Sequence, residues 1–191
     1  MLVYTIGHST RTTEAFVELL NEFGVKHLVD VRRYPGSRRH PHFSKDMLQR
    51  NLSQHGIDYT HMETLGGRRQ PNPDSPNTHW TSDGFRGYAD YTATASFNAG
   101  VTELVRIANR QTTAVMCAEA VHWKCHRQLL ADALVARDVA VRHILRPRTA
   151  TPHELNSAAR VLPDGRLEYP SREPDQTGLF DERGAEEDVR G

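Results

Sequence analysis

Residues 112–127, TTAVMCAEAVHWKCHR, open as a strand and close as the start of a helix. Thr112–Cys117 is a short apolar run with β-branched residues, the pattern of a buried strand. From His126 to Arg137, Leu130, Ala133 and Leu134 fall at helical spacing. The same unit recurs outward in both directions. Leu2–Ile6 is a strand ended by Gly7-His8-Ser9. Thr12 or Thr13 then caps a helix in which Phe16, Leu19, Leu20 and Phe23 share one face and Gly24 ends it. His27–Val31 is a second short strand, followed by a helix from Ser44 to about His55 with Leu48 and Leu52 on one face. Ile57–Met62 alternates as a third strand, Tyr88–Arg110 reads as one helix, and Val139–Leu145 is a fifth strand after Thr112–Cys117.

This alternation predicts an α/β fold: a mainly parallel sheet of about five strands flanked by helices, a Rossmann-like three-layer arrangement. The core domain is expected over 1–148. Residues 149–191, polar and Pro-rich, are expected as a partly extended C-terminal tail. Leu65–Asp83 is a long polar loop with Gly66-Gly67 and three prolines, the kind of segment that is functional or disordered.

A chain of 191 residues buries a core without disulfides or metals. Lys+Arg and Asp+Glu both number 24, so net charge gives no argument for nucleic acid or membrane. Locally the balance breaks: Arg32, Arg33, Arg38, Arg39 and His40 crowd one loop, and Asp181–Asp188 is acidic. Two cysteines, Cys117 and Cys125, do not make a secreted disulfide framework. No apolar run approaches the roughly 18 residues that span a membrane. The opening MLVYTIGHS lacks the basic region of a signal peptide. A soluble, cytoplasmic protein is expected.

In open parallel sheets, ligands bind outside the carboxyl ends of the strands. The chemistry-bearing residues gather there: His8 and Ser9 after the first strand, Asp30 and Arg32 after the second, His61 and Glu63 after the third, Cys117 and Glu119 after the fourth. Cys117 and Glu119 share a face if the strand continues, a thiol with a carboxylate for nucleophilic and acid/base work; the alternative is a buried small hydrophobe and a solvated loop. Cys125-His126-Arg127 opens a helix, where backbone N–H groups lower a thiol pKa and accept an anion. Asp30 is a candidate base, a metal ligand or the partner of an arginine. The spacing of Cys117 and Cys125 is not that of C-x-x-C zinc sites, so no metal ligand is assigned; a catalytic metal held by mixed ligands from several strand ends stays open. The candidate catalytic set is Cys117, Glu119, Asp30 and Cys125. The candidate substrate-binding set is His8, Ser9, Arg32, Ser37, Arg38, Gly66, Gly67, His126 and Arg127.

The ordered motifs Thr5-Ile6-Gly7-His8-Ser9, Val29-Asp30-Val31-Arg32 with Pro35 and Ser37-Arg38, Leu65-Gly66-Gly67, Met116-Cys117-Ala118-Glu119 and Cys125-His126-Arg127 resemble the bacterial and archaeal family of domain of unknown function 488. The resemblance covers nearly the whole chain and implies an α/β domain with a polar cleft built from those motifs. It supplies no reaction and no cofactor. The spacer Ala120–Lys124 departs from the shorter acidic, Pro-containing spacer of that pattern.

Three functional readings follow. The first is an enzyme, a hydrolase or transferase, acting on a nucleotide, a nucleic acid or another anionic phosphorylated substrate. The second is a non-enzymatic DNA-repair accessory. It draws on Gln176-Thr177-Gly178-Leu179-Phe180, which resembles a bacterial sliding-clamp peptide with Gln176, Leu179 and Phe180 as contacts, although Thr177 stands where leucine is usual. The third is a redox or metal-sensing protein using the two thiols.

Overall fold

A computed structural model describes residues 1–36 and 40–171. Ser37 and Arg38, and the peptide 176–180, lie outside the described residues. β1 (Leu2–Gly7) leads into α1 (Thr13–Glu22). Thr12 caps that helix, its hydroxyl accepting from the Ala15 amide at 3.2 Å. Gly24 ends the turn at φ +66°, a left-handed position that suits glycine. β2 (His27–Asp30), α2 (Lys45–Gln54) and β3 (Asp58–His61) follow.

The helix expected over Tyr88–Arg110 is two: α3 (Asp83–Thr92) and α4 (Ala95–Ala108). Thr94 breaks them. Its hydroxyl donates back to the Tyr91 carbonyl and accepts from the Phe97 amide, so one side chain closes one helix and caps the next. β4 (Thr113–Cys117), α5 (Arg127–Val135), β5 (Ala140–Arg146) and β6 (Thr149–Pro152) complete the main sheet. β7 (Arg160–Val161) and β8 (Leu167–Glu168) form a small separate hairpin.

The sheet has six strands, one more than expected, in the order β3-β2-β4-β1-β5-β6. The first five are parallel; β6 returns antiparallel along β5. Every residue of β4 is buried, because it is central and covered on both faces. Alternation sorts the faces. Ala114 and Met116 join Ile6, Leu28 and Ile144 under α1 and α2. Val115 and Cys117 join Val3, Val29 and Val141 under α3, α4 and α5. Cys117 therefore sits at the carboxyl end of the central strand, on the α5 side. The polar segment before α3 is tied down: Asp90 accepts from the Asn72 amide, the Ser75 hydroxyl and the Asn77 side-chain amide.

The described part of 149–171 joins the core through a buried polar chain. Asp132 of α5 accepts from the Tyr169 hydroxyl at 2.9 Å, the Asn156 amide at 2.9 Å and His153 Nε2 at 2.8 Å. His153 Nδ1 meets His143 Nε2 at 2.9 Å, and His143 Nδ1 meets the Thr5 hydroxyl at 2.7 Å. The carboxylate at one end sets the direction: each imidazole donates toward Asp132 and accepts from the Thr5 side. His122 stacks flat on His143, ring centroids 3.5 Å apart. Among the described residues, no helix is long and apolar enough to cross a membrane.

Burial, then His122, His153 and Arg127, push His143 down from its ordinary 6.5 to about 2. The folded residue stays neutral while the unfolded one takes a proton below about 6.5. The unfolded state thus gains protons as pH falls, and stability is lost on acidification through and below that value. The expected cost is on the order of 1.4 kcal/mol per pH unit between pH 6 and 4. Urea melts of the native chain at stepped pH check this. His143→Gln is expected to lower stability at pH 7 and to flatten the acid slope.

Candidate functional site

The site is built where β4 runs out beside β1. The two strands stay paired past their ends, His8 N donating to Cys117 O at 3.0 Å and Ser9 N to Ala118 O at 2.9 Å. Gly7 lies directly under the Glu119 carbonyl, and any side chain there would overlap that backbone. Arg127, at the head of α5 and 1% exposed, donates to the Glu119 carbonyl and to the Thr5 hydroxyl. One guanidinium thus joins α5, β1 and the turn after β4. It is not a lining residue of the cleft described below, and among the described residues it has no carboxylate partner.

The same turn brings two sulfurs and an imidazole together. Cys125 follows the short 3-10 turn His122–Lys124, and His126 precedes α5. His126 Nδ1 is 3.6 Å from Cys125 Sγ and 4.0 Å from Cys117 Sγ. Both cysteines are buried and unbridged. The Cys117 thiol donates to Cys125 sulfur; with His126 and Arg127 also close by, this holds the Cys125 thiol well below its ordinary 9. That hydrogen bond and burial push Cys117 well above it. The two thiols titrate as a coupled pair, in which Cys125 gives up its proton more readily than Cys117. Gly67 packs flat against the imidazole: a Cβ there would lie 2.8 Å from His126 Nδ1.

A cleft of about 240 Å³ opens over this group. Cys117, Ala118, Glu119 and His126 line its β4 side, and Gly67 with Arg68 and Arg32–Tyr34 line the rest. Arg32 is positioned by Asp30, which is fully buried. The carboxylate accepts from Arg32 Nε at 2.9 Å, Arg32 NH2 at 2.6 Å and the Tyr59 hydroxyl at 2.8 Å. Arg32 NH2 also donates to the Phe43 carbonyl, so only NH1 is lightly used, with a 3.4 Å contact to His8 Nε2. His8 Nδ1 donates to the Ser9 carbonyl at 2.9 Å. Burial and the Arg32 charge take His8 down from 6.5 to about 4, so it stays neutral beside that cation. Arg33 NH1 donates to the Arg68 carbonyl at 2.8 Å, tying the two loops at the mouth. Tyr34 is 61% exposed, with the Arg33 and Arg68 guanidinia 5.8 Å and 5.6 Å from its ring.

Of the expected residues, Cys117, Glu119, Arg32, Gly67 and His126 line this cleft, and Cys125 adjoins Cys117 and His126. Of the readings open for Asp30, the structure matches the arginine partner: its oxygens are taken up by the Arg32 guanidinium and Tyr59. His8, Arg127 and Gly66 are buried behind the lining, and Ser9 is half-buried with φ +50°. Arg33, Tyr34 and Arg68 are lining residues absent from the expected set. A single tyrosine in a turn carries no periodic signal, and Arg33 reads only as one of several cations crowding its loop; Arg68 belongs to the Leu65–Arg69 segment, whose flexibility and charge suit a lid or an anion-binding turn.

With this geometry in place, the family comparison is decisive: the family described as Domain of unknown function DUF488 matches residues 12–134. The chain belongs to the DUF488 family. The matched stretch carries the Asp30–Arg32 pair, Gly66-Gly67 and the whole turn from Cys117 to Arg127. No curated protein and no solved structure matches this DUF488 chain.

Gly7→Ala is expected to push the Glu119 carbonyl off Arg127 and to cost about 2–3 kcal/mol. Gly36→Ala, with nothing within 4 Å of the added carbon, is expected to leave stability unchanged. Thermal melts of the two variants against the native chain make the comparison.

Proposed function

We propose that this chain is an enzyme, of the hydrolase or transferase type, acting on an anionic, phosphate-bearing substrate of the nucleotide class. The observation that carries this is one cleft with two chemistries on opposing sides. On one side lie the paired sulfurs with His126 and the exposed carboxylate of Glu119. On the other lies the Arg32 guanidinium, with those of Arg33 and Arg68 beside an exposed tyrosine ring.

The division of labour follows from what each group has left to offer. Arg33, Arg68 and Arg32 NH1 hold the anion by charge-assisted hydrogen bonds. The face of Tyr34 takes a planar base. Cys117 and Cys125 form the reacting centre, and Glu119, which among its neighbours engages only its own turn through Ala120 N at 3.1 Å, moves the proton. Asp30, His8 and Tyr59 act through Arg32, by fixing where its guanidinium points. Burying the Arg32 guanidinium is costly unless it is paired, and the Asp30 carboxylate answers it.

Binding of nucleoside monophosphates and inorganic pyrophosphate, followed by calorimetry, tests the cleft. Arg33→Ala and Arg68→Ala are each expected to weaken binding about tenfold or more, the scale of one charge-assisted contact. Cys117→Ala is expected to leave affinity within about threefold and to abolish turnover of whichever ligand is processed. Native affinity in both arginine variants would move the anion site elsewhere.

A further inference from the structure

We propose that Cys117, Cys125 and His126 form a binding site for a thiophilic divalent cation, zinc foremost, with its fourth position open to the cleft. This deepens the reading of that cleft, but the metal site stands on its own geometry. Cys117 Sγ, Cys125 Sγ and His126 Nδ1 all lie within 4.8 Å of one another, with His126 Nδ1 3.6 Å and 4.0 Å from the two sulfurs. A tetrahedral ion with metal–sulfur bonds of about 2.3 Å and metal–nitrogen bonds of about 2.0 Å spaces sulfur and nitrogen by roughly 3.5 Å. The two sulfur–nitrogen spacings come within about half an ångström of that value, so the three donors need only a small closing movement to form one face of such a tetrahedron.

The donors come from rigid parts of the fold. Cys117 ends the central strand; Cys125 and His126 stand at the head of α5, which Arg127 fastens to the Glu119 carbonyl and Thr5. Gly67 leaves room for the imidazole on the side where any Cβ would press on Nδ1. Cys117 and His126 both line the cleft, so a fourth ligand is supplied from there. Three protein donors with one open position is the pattern of a reactive zinc centre, whereas structural sites close all four. Two thiolates cancel a divalent charge. That leaves the buried Arg127, without a carboxylate partner among the described residues, to favour an anion at the fourth position.

The molecule holds a second cluster of metal-capable groups, and it fails the same test. His122, His143 and His153 are close, but both nitrogens of His143 and both of His153 are already used in the chain to Asp132. His122 lies parallel to His143, interplanar angle 5°, so the two rings offer faces to each other and no convergent lone pairs. Sulfur donors also set the choice of ion: they select zinc or cobalt over magnesium or calcium.

The test is titration of the full, reduced, metal-stripped chain with Co(II). The expected result is one ion per chain, thiolate-to-cobalt charge-transfer absorption and tetrahedral-intensity visible bands, all displaced by zinc. Cys117→Ser, Cys125→Ser and His126→Asn are expected to weaken binding by tenfold or more, while His143→Gln keeps it. Zinc is also expected to slow alkylation of both native cysteines by tenfold or more, a readout that needs no variant. Absence of the charge-transfer band, equal binding by the cysteine variants, or alkylation indifferent to zinc would each overturn the site. Nucleotide affinity of the metal-free chain, and its loss in Arg33→Ala, is measured separately, so failure of the metal site and failure of the anion cleft give different patterns.

Discussion

The buried guanidinium of Arg127 is the interaction on which the rest of the site depends. A cation at 1% exposure is costly to bury unless its donors are used and its charge is answered. Here NH2 donates to the Glu119 carbonyl and NH1 to the Thr5 hydroxyl, while Nε has no hydrogen-bond partner among the described residues. The first contact fixes the turn after β4, and with it the position of Cys117 and Glu119. The second connects Arg127, through Thr5, His143 and His153, to the buried carboxylate of Asp132. A cation and an anion are thus joined by an oriented chain of hydrogen bonds that runs from β1 through β5 into α5. The sulfur pair lies close to Arg127, and the guanidinium charge helps to lower the Cys125 thiol. Gly7 is part of the same device, since only a residue without a side chain lets the Glu119 carbonyl come down on β1.

The cleft shows a division between groups that face it and groups that hold them. Asp30 has both oxygens engaged and no exposure, and it holds the Arg32 guanidinium in place. His8 does the same from the other side, neutral beside the cation and stacked on Phe43 at 4.3 Å. Arg33, Tyr34 and Arg68 are the opposite case. Among the described residues they are joined by one backbone hydrogen bond and two ring contacts, at the mouth of the cleft.

Strand and helix order was legible because each element carries its own period: the apolar β4 run, the α1 face of Phe16, Leu19 and Leu20, the Gly24 stop. The carboxyl-end rule for parallel sheets then placed Cys117, Glu119 and Arg32 at one edge. The break at Thr94 was not legible, because Tyr88 to Ala108 keeps an acceptable helical stripe across it and a capping threonine looks like any helical threonine. β6 was missed for a different reason: Thr149–Pro152 contains a proline and has no alternation, and only an edge strand tolerates that. Asp132, His153 and Tyr169 meet across 37 residues of chain, and no local pattern announces such a contact. The Cys117–Cys125 pairing was hidden similarly, since its spacing belongs to a strand–turn–helix unit and not to a C-x-x-C loop.

The fold places a coupled sulfur pair, close to the Arg127 guanidinium, at the edge of an arginine-lined cleft. The most direct measurement is ultraviolet thiolate absorbance of the reduced, metal-free chain as a function of pH. The account predicts that one thiolate persists to well below pH 9 and disappears in Cys125→Ser, while the second sulfur ionises only well above it. Two cysteines titrating together at the ordinary value of 9 would contradict it.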